Sequence, residues 1–222
     1  SSATAFYLLG FSFGENYQFE APLLDKLKPR AKVYVINVDR FFDDDRVTSP
    51  TEAIRLRPSD AQTNFEEKKR WQSLHKSICT SVPGICGNEV AFFRSRSNGV
   101  WQLRGSENFK AAAVADAVPD ADDLARWKQY GALGNEFISR LPVDRRCVVL
   151  TIAPWEATKT SEARAIADAL QIELVAPKLD DLHTMDGDHL DHASAERWSA
   201  AFFEAAGPRI RQCLLDGRTA AR

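Results

Sequence analysis

The residues best suited to chemistry stand near the two ends of the 222-residue chain. Ser12 lies between Gly10 and Gly14, and flanking glycines permit a tight turn that bulkier residues resist. Near the C-terminus, Asp186 and His189 are three residues apart, so one tight loop can present both side chains. A carboxylate can hold one imidazole nitrogen while the other nitrogen takes a proton from a serine hydroxyl and returns it to a leaving group. Serine, histidine and aspartate in these roles are typical of ester hydrolysis and acyl transfer.

Each part of this set also has a simpler interpretation. Ser12 could be the N-cap of the helix that follows it, because serine is a preferred N-cap residue. The loop from Asp186 to His189 could be a polar cap of the last helix. However, His183, His189 and His192 are three of the four histidines and fall within ten residues, which is an unusual concentration for a cap. The catalytic interpretation is therefore preferred.

A metal site is the chemical alternative for the C-terminal cluster, since Asp188 and Asp191 each stand beside a histidine. Adjacent residues can seldom converge on one ion, and no Glu-x-x-His or Cys-x-x-Cys pattern accompanies them. We expect no metal and no cofactor.

Short apolar runs that alternate with helical patterns must position these residues. An Asn-Gly pair at 98–99 predicts a β-hairpin over 90–103. Buried strands alternating with helices indicate an α/β fold with a parallel sheet covered on both faces. We expect one domain over 1–222, with an inserted helix and β-hairpin in an elaboration at about 40–144. We predict strands at 5–10, 32–38, 147–152 and 172–175, and helices at 17–27, 61–78, 120–141, 162–170 and 193–206, the last ending there or continuing to 215.

This order places Ser12 directly after the first strand and before a helix, and Asp186 in the loop after the last strand. Ligands of open parallel sheets bind at the carboxyl ends of the strands. The N-terminus of the helix after Ser12 would also offer N–H groups to a developing oxyanion, with the Ser12 and Gly14 amides as candidates.

The chain has a serine after the first predicted strand and Asp186-x-x-His189 before the last predicted helix. This arrangement resembles that of the SGNH/GDSL hydrolase superfamily. The segment from Asp186 to Trp198 is similar to that family's closing block. The resemblance implies that Ser12 is the nucleophile, His189 the general base and Asp186 its orienting partner. It also implies a three-layer α/β/α sandwich with a flavodoxin-like parallel sheet, and activity as an esterase, lipase or O-acyltransferase.

The chain departs from the family pattern at two points. Phe11 replaces the aspartate of Gly-Asp-Ser, and no Gly-x-Asn-Asp block supplies an oxyanion asparagine. Asn37 is the best substitute, with Asn16 and Asp39 as alternatives. These departures resemble a divergent branch of bacterial cell-envelope proteins that modify glycans. The resemblance implies an O-acylated carbohydrate of the cell envelope as the substrate, and we expect the acyl group to be acetyl. The departures also fit a domain that has lost activity and binds glycan or serves as a scaffold.

The α/β-hydrolase fold also uses Gly-x-Ser-x-Gly and is the rival fold. It places several strands before the nucleophile, whereas only eleven residues precede Ser12. We therefore reject it unless a large N-terminal portion is missing.

Two further residues are candidates for substrate binding. Trp155 follows the third strand and could stack on a sugar, although most of the five tryptophans are expected in the core. Arg94, with Arg96 and Arg104 around the hairpin, could clamp an anionic substrate, although exposed charge on a hairpin is the simpler explanation.

The helix predicted at 61–78 is charged and amphipathic. Phe65, Trp71, Leu74 and Ile78 are spaced as one face. The basic run at 68–70 is most simply a solvated face of the same helix.

Composition and cysteine content limit the possible binding partners and the cellular location of the chain. Hydrophobic residues make up 44% and charged residues 27%, as in a globular protein, and a net charge of −2 argues against nucleic-acid binding. No apolar run approaches the ~20 residues of a membrane-spanning helix. The chain opens at Ser1 without Met, so an export signal or membrane anchor could precede it. A disulfide between Cys79 and Cys86 would indicate a periplasmic or other extracytoplasmic location, and reduced thiols there would indicate the cytoplasm.

Overall fold

The structure is a computed structural model that describes residues 16–42, 58–82, 91–94, 101–104, 111–119 and 123–219. Within these residues the fold is mixed α/β, as predicted. The helices are α1 (Tyr17–Leu27), α2 (Pro58–Ser81), α3 (Asp123–Ser139), α4 (Thr160–Leu170) and α5 (His192–Thr219), and a short 3-10 helix spans Arg145–Cys147. The strands are β1 (Tyr34–Asn37), β2 (Ala91–Arg94), β3 (Trp101–Arg104), β4 (Ala112–Ala113), β5 (Val148–Thr151) and β6 (His183–Thr184).

The central sheet is built on a parallel pair, in which Tyr34 of β1 stands opposite Val148 of β5. On the other side of β5, Leu174 forms a single parallel bridge with Leu150. The N–H of Val175 donates to the Leu150 carbonyl at 2.9 Å. The strand predicted at 172–175 is therefore one bridge rather than a full strand.

Strand β5 is buried on both faces, because alternate side chains of a strand point in opposite directions. Val148 and Leu150 pack towards α1, α3 and α4, and Val149 packs with Phe202 and Ala206 of α5. All three β5 side chains are fully buried. Among the described residues, the larger apolar cluster also contains Leu24, Trp127, Tyr130, Phe137, Ile138, Ile166 and Leu170.

A flavodoxin-like three-layer sandwich is not confirmed by this sheet. In the flavodoxin-like order, the first strand of the chain lies between the second and the third. Here β1 and β5, which match the second and third predicted strands, pair directly with each other. The first predicted strand, at 5–10, lies outside the described residues.

Local signals explain why α1 keeps its predicted bounds. The side chain of Asn16 caps its start by accepting a hydrogen bond from the Gln18 N–H at 3.0 Å. At its end, Lys28 takes a left-handed conformation (φ +45°), and its N–H donates to the Leu24 carbonyl at 2.8 Å. Such a left-handed residue satisfies a carbonyl that a helix end would leave unpaired.

The remaining elements include both predicted and unforeseen pairings. The antiparallel hairpin is confirmed, with Arg94 of β2 opposite Trp101 of β3. Helices α2, α3 and α5 differ from their predicted bounds by a few residues at most ends, and α5 runs on to Thr219. The antiparallel pair β4–β6 was not predicted. No helix among the described residues is both long and apolar enough to cross a membrane.

A disulfide joins Cys147, at the end of the 3-10 helix, to Cys213 of α5. The sequence offers Cys79 and Cys86 as a pair that could be either bridged or reduced. Those two side chains lie outside the described part of the chain.

Candidate functional site

The loop between β6 and α5 holds Asp186 and His189 together. The Nδ1 atom of His189 lies 2.8 Å from Oδ2 of Asp186. The other carboxylate oxygen, Oδ1, accepts the backbone N–H of His189 at 2.7 Å and that of Asp188 at 3.1 Å. One carboxylate therefore holds both the backbone turn and the imidazole, so the predicted pair is brought together.

The two members of the pair differ in exposure. The Asp186 side chain is 9% exposed, whereas that of His189 is 60% exposed. Burial opposes ionisation of Asp186, but hydrogen bonds from His189 and Asp188, together with the charge of His189, hold the pKa of the Asp186 carboxyl below its usual value. Asp186 is thus a carboxylate at neutral pH. Because the Asp186 carboxylate contacts Nδ1 of His189, Nε2 is the ring nitrogen that can accept a proton from a hydroxyl group.

Gly187 allows the tight loop that places these side chains. Its φ is +95°, a conformation that residues with a Cβ rarely adopt, and an added Cβ would lie 3.0 Å from Oε1 of Glu156. The Gly187 N–H donates to Oγ1 of Thr184 at 3.0 Å, and Thr184 is fully buried. The Gly187 carbonyl accepts the N–H of Glu156 at 3.0 Å. The loop is therefore anchored to the segment that follows β5.

The capping of α5 is performed by a different residue, Asp191. Its Oδ1 accepts the N–H of Ser194 at 2.7 Å, and Oγ of Ser194 accepts the N–H of His183 at 2.9 Å. The hydrogen bond from the Ser194 backbone, which outweighs burial, holds the pKa of the Asp191 carboxyl below its usual value. A capping role therefore does not explain the contact between Asp186 and His189.

Asn37 lies where β1 and β5 end side by side. Its Oδ1 accepts the N–H of Asp39 at 3.3 Å and the N–H of Ala153 at 3.4 Å. Two residues after Ala153 comes Trp155, and the next residue is hydrogen-bonded to Gly187. Asn37, Trp155 and the loop with Asp186 and His189 therefore line one edge of the sheet, at the carboxyl ends of its parallel strands.

Asp39 in the turn after β1 faces the same edge. Burial raises the pKa of Asp39, the positive charges of Arg40 and Lys159 oppose this, and the negative charge of Asp188 adds to it. This effect of Asp188 accords with a position of the loop of His189 on the same side of the sheet as the turn after β1. Among the residues that the structure describes, the enclosed Oδ1 of Asp39 has no hydrogen-bond partner.

Trp155 is half-buried, and one face of its indole is occupied. The guanidinium carbon of Arg40 lies 5.9 Å from the ring centroid, in the range of a cation–π contact. Arg40 itself has a φ of +52°. The backbone N–H of Trp155 donates to Oγ1 of Thr158 at 2.7 Å, which fixes the direction of the Trp155 segment. A sugar stacking on Trp155 would have to use the other face or displace Arg40.

The structure does not place two of the predicted site residues, and for a third it describes only the backbone. Ser12 and Gly14 lie outside the described residues, and Arg94 is described only as the last residue of β2. No group of three or more possible metal ligands occurs in the part of the chain that is described. On the surface of α5, Nε2 of His192 lies 3.6 Å from Oε1 of Glu196.

Several residues of this edge were missed at the level of sequence. The pattern Asp191-x-x-Ser194 before an apolar helix is a readable capping signal and could have been found. Arg40 and Glu156 offer no such signal, because their contacts join segments that are far apart in the chain.

Comparison with known proteins adds no identification: no family model, no curated protein and no solved structure matches this chain.

Proposed function

We propose that the chain is a serine esterase or O-acyltransferase of the SGNH/GDSL type, with Ser12, His189 and Asp186 as its triad. The observation that carries the proposal is the 2.8 Å contact between Nδ1 of His189 and Oδ2 of Asp186. A carboxylate on Nδ1 fixes the tautomer in which Nε2 accepts a proton, and it stabilises the imidazolium that follows.

Support for the placement of Ser12 comes from α1. The N–H of Tyr17, the first residue of α1, donates to the Phe41 carbonyl at 2.9 Å, so this helix begins beside the turn that follows β1. Ser12 precedes Asn16 by four residues. Four residues of chain span at most about 14 Å. Within that reach, the proposal puts Ser12 at the edge of the sheet that carries His189.

In the proposed reaction, Oγ of Ser12 attacks the carbonyl carbon of an ester as Nε2 of His189 takes the hydroxyl proton. The amides of Ser12 and Gly14 and the Nδ2 group of Asn37 would stabilise the oxyanion. Because Oδ1 of Asn37 accepts two backbone N–H groups, its amide is held in one orientation. The intermediate then expels the alcohol, which receives the proton from His189, and leaves an acyl group on Ser12. Water or a sugar hydroxyl removes that acyl group by the same steps in reverse.

The substrate we propose is O-acylated, mainly acetylated, carbohydrate of the cell envelope, with Trp155 and Arg94 as candidate contacts. An extracytoplasmic, periplasmic location accords with this substrate. The disulfide between Cys147 and Cys213 supports an oxidising compartment, because such bonds are rare in the cytoplasm.

The test uses a fluorophosphonate probe and p-nitrophenyl acetate with the full chain. Wild type should be labelled and should hydrolyse the ester, Ser12→Ala should do neither, and His189→Ala should lose at least about a thousandfold in kcat. The matched control is His192→Ala, which removes an exposed histidine three residues from His189 and should behave as wild type.

Equal labelling of wild type and Ser12→Ala would remove the enzyme proposal. It would favour the alternative, a domain of similar fold that binds glycan or serves as a scaffold.

A further inference from the structure

The helix α2 carries an exposed apolar stripe, formed by Trp71, Leu74, Ile78 and Val82. These side chains are 71%, 50%, 44% and 44% exposed. The N–H of Val82 donates to the Ile78 carbonyl at 2.9 Å, so helical geometry continues to the end of the stripe. At about 100° per residue, the four positions fall within an arc of about 80°. The α2 stripe is therefore a continuous apolar surface open to solvent.

Basic residues flank the α2 stripe on both sides. Lys68 and Arg70 are exposed, and each lies about 40° outside one edge of the arc. Lys69, also exposed, lies on the opposite face of the helix. Two acidic residues come before Trp71: Glu67 lies one turn before it, within the arc of the stripe, and Glu66 lies outside that arc. No acidic residue follows them as far as Val82.

We propose that the α2 stripe binds the surface of a membrane that contains anionic lipids. Amphipathic helices with Trp and aliphatic residues on one face and Lys or Arg beside it lie in the membrane interface, with the apolar face among the acyl chains. Lysine and arginine can extend their charged ends to lipid phosphates while their stems stay on apolar surface. The positions of Lys68 and Arg70 at the two edges of the stripe suit this arrangement.

Charge favours lipid over a second copy of the chain. In a parallel pair of α2 helices, Lys68 and Arg70 would face the same basic residues, and Glu67 would face Glu67 of the second copy. In an antiparallel pair they would face the end of the stripe near Ile78 and Val82, where the sequence holds no acidic residue. An anionic bilayer supplies the missing negative charge, worth about a fivefold gain in partitioning for each basic residue.

This proposal is independent of the ester chemistry of Ser12 and His189. The net charge of the chain is −2, so the attraction would be local to α2. Membrane binding by this helix would hold the domain at a surface without a membrane-spanning segment.

The experiment is sedimentation of the full chain with vesicles of phosphatidylcholine alone or mixed with phosphatidylglycerol. Wild type should sediment with the mixed vesicles and much less with phosphatidylcholine alone. Trp71→Gln with Ile78→Gln should reduce the partition coefficient at least about tenfold, and Lys68→Gln with Arg70→Gln should reduce it about twenty-fivefold.

Matched controls come from α1, where Lys26 and Leu27 are both exposed. Lys26→Gln and Leu27→Gln remove the same kinds of side chain from another helix and should leave vesicle binding unchanged. All variants should keep the wild-type circular dichroism spectrum, because every replaced side chain is exposed. The single variants Trp71→Gln and Ile78→Gln provide a second measurement, each with a smaller loss than the pair.

Three results would overturn the proposal. The first is no binding of wild type to the anionic vesicles, or equal binding to both compositions. The second is binding that the α2 variants reduce no more than the α1 controls do. The third is a dimer in light scattering that Trp71→Gln with Ile78→Gln converts to a monomer, without vesicle binding, which would make a second copy the occupant.

Discussion

Loss of the disulfide between Cys147 and Cys213 should lower the free energy of unfolding by about 4 kcal/mol. The two residues are 66 apart in sequence. Closing a loop of that size removes about 15 cal/mol/K of chain entropy from the unfolded state, which is about 4 kcal/mol at 25 °C. The bond also fastens α5 to the segment that enters β5, the most buried strand described.

The measurement is urea unfolding of the double variant Cys147→Ala/Cys213→Ala beside wild type. Alanine is preferred to serine because both cysteines are buried, and a hydroxyl placed there without a partner would add a cost of its own. A reductant is less suitable, since the chain has four cysteines. For a domain of this size, the expected loss corresponds to a fall in Tm of roughly 8–16 °C.

The single variants separate the effect of the cross-link from that of packing. Cys147→Ala and Cys213→Ala each abolish the bond, so each should lose nearly as much stability as the double variant. If the losses of stability in the two single variants instead add up to the loss in the double variant, side-chain packing would be the cause. A loss below about 1 kcal/mol in the double variant would refute the argument from loop closure.

Three further predictions concern the site. Gly187→Ala should destabilise the fold by more than about 1 kcal/mol, because a left-handed residue gains a Cβ against Glu156, and an unchanged Tm would contradict this. The carboxyls of Asp186 and Asp191 have pKa values in the folded state below those in the unfolded state. The stability that they contribute is therefore present above about pH 4 and is lost as pH falls through the lowered folded values. Urea unfolding between pH 2 and 6 should show this loss, and Asp191→Ala should make the free energy of unfolding depend less on pH. Asn37→Ala should lower kcat for p-nitrophenyl acetate about a hundredfold with little change in Tm, and an unchanged kcat would remove it from the oxyanion hole.

Local patterns in the sequence were sufficient to predict several elements and the contact between Asp186 and His189. The helix at 17–27 is readable because its capping residue, apolar spacing and end all lie within a dozen residues. The run at 147–152 predicts a buried strand because both of its faces are apolar. Asp186 and His189 can meet because only two residues separate them, so their pairing requires little information from the rest of the chain.

The pairing of distant segments was decided only by the tertiary structure. The direct pairing of β1 with β5 and the bond between Cys147 and Cys213 each join segments more than sixty residues apart. The contact of Arg40 with Trp155 depends on those pairings. The physical reason is that hydrophobic periodicity specifies which face of an element is buried, but several partners can cover that face equally well. The tertiary packing of the whole chain selects the partner that covers each face. The same packing brings Asn37, Trp155 and the loop of His189 to one edge of the sheet.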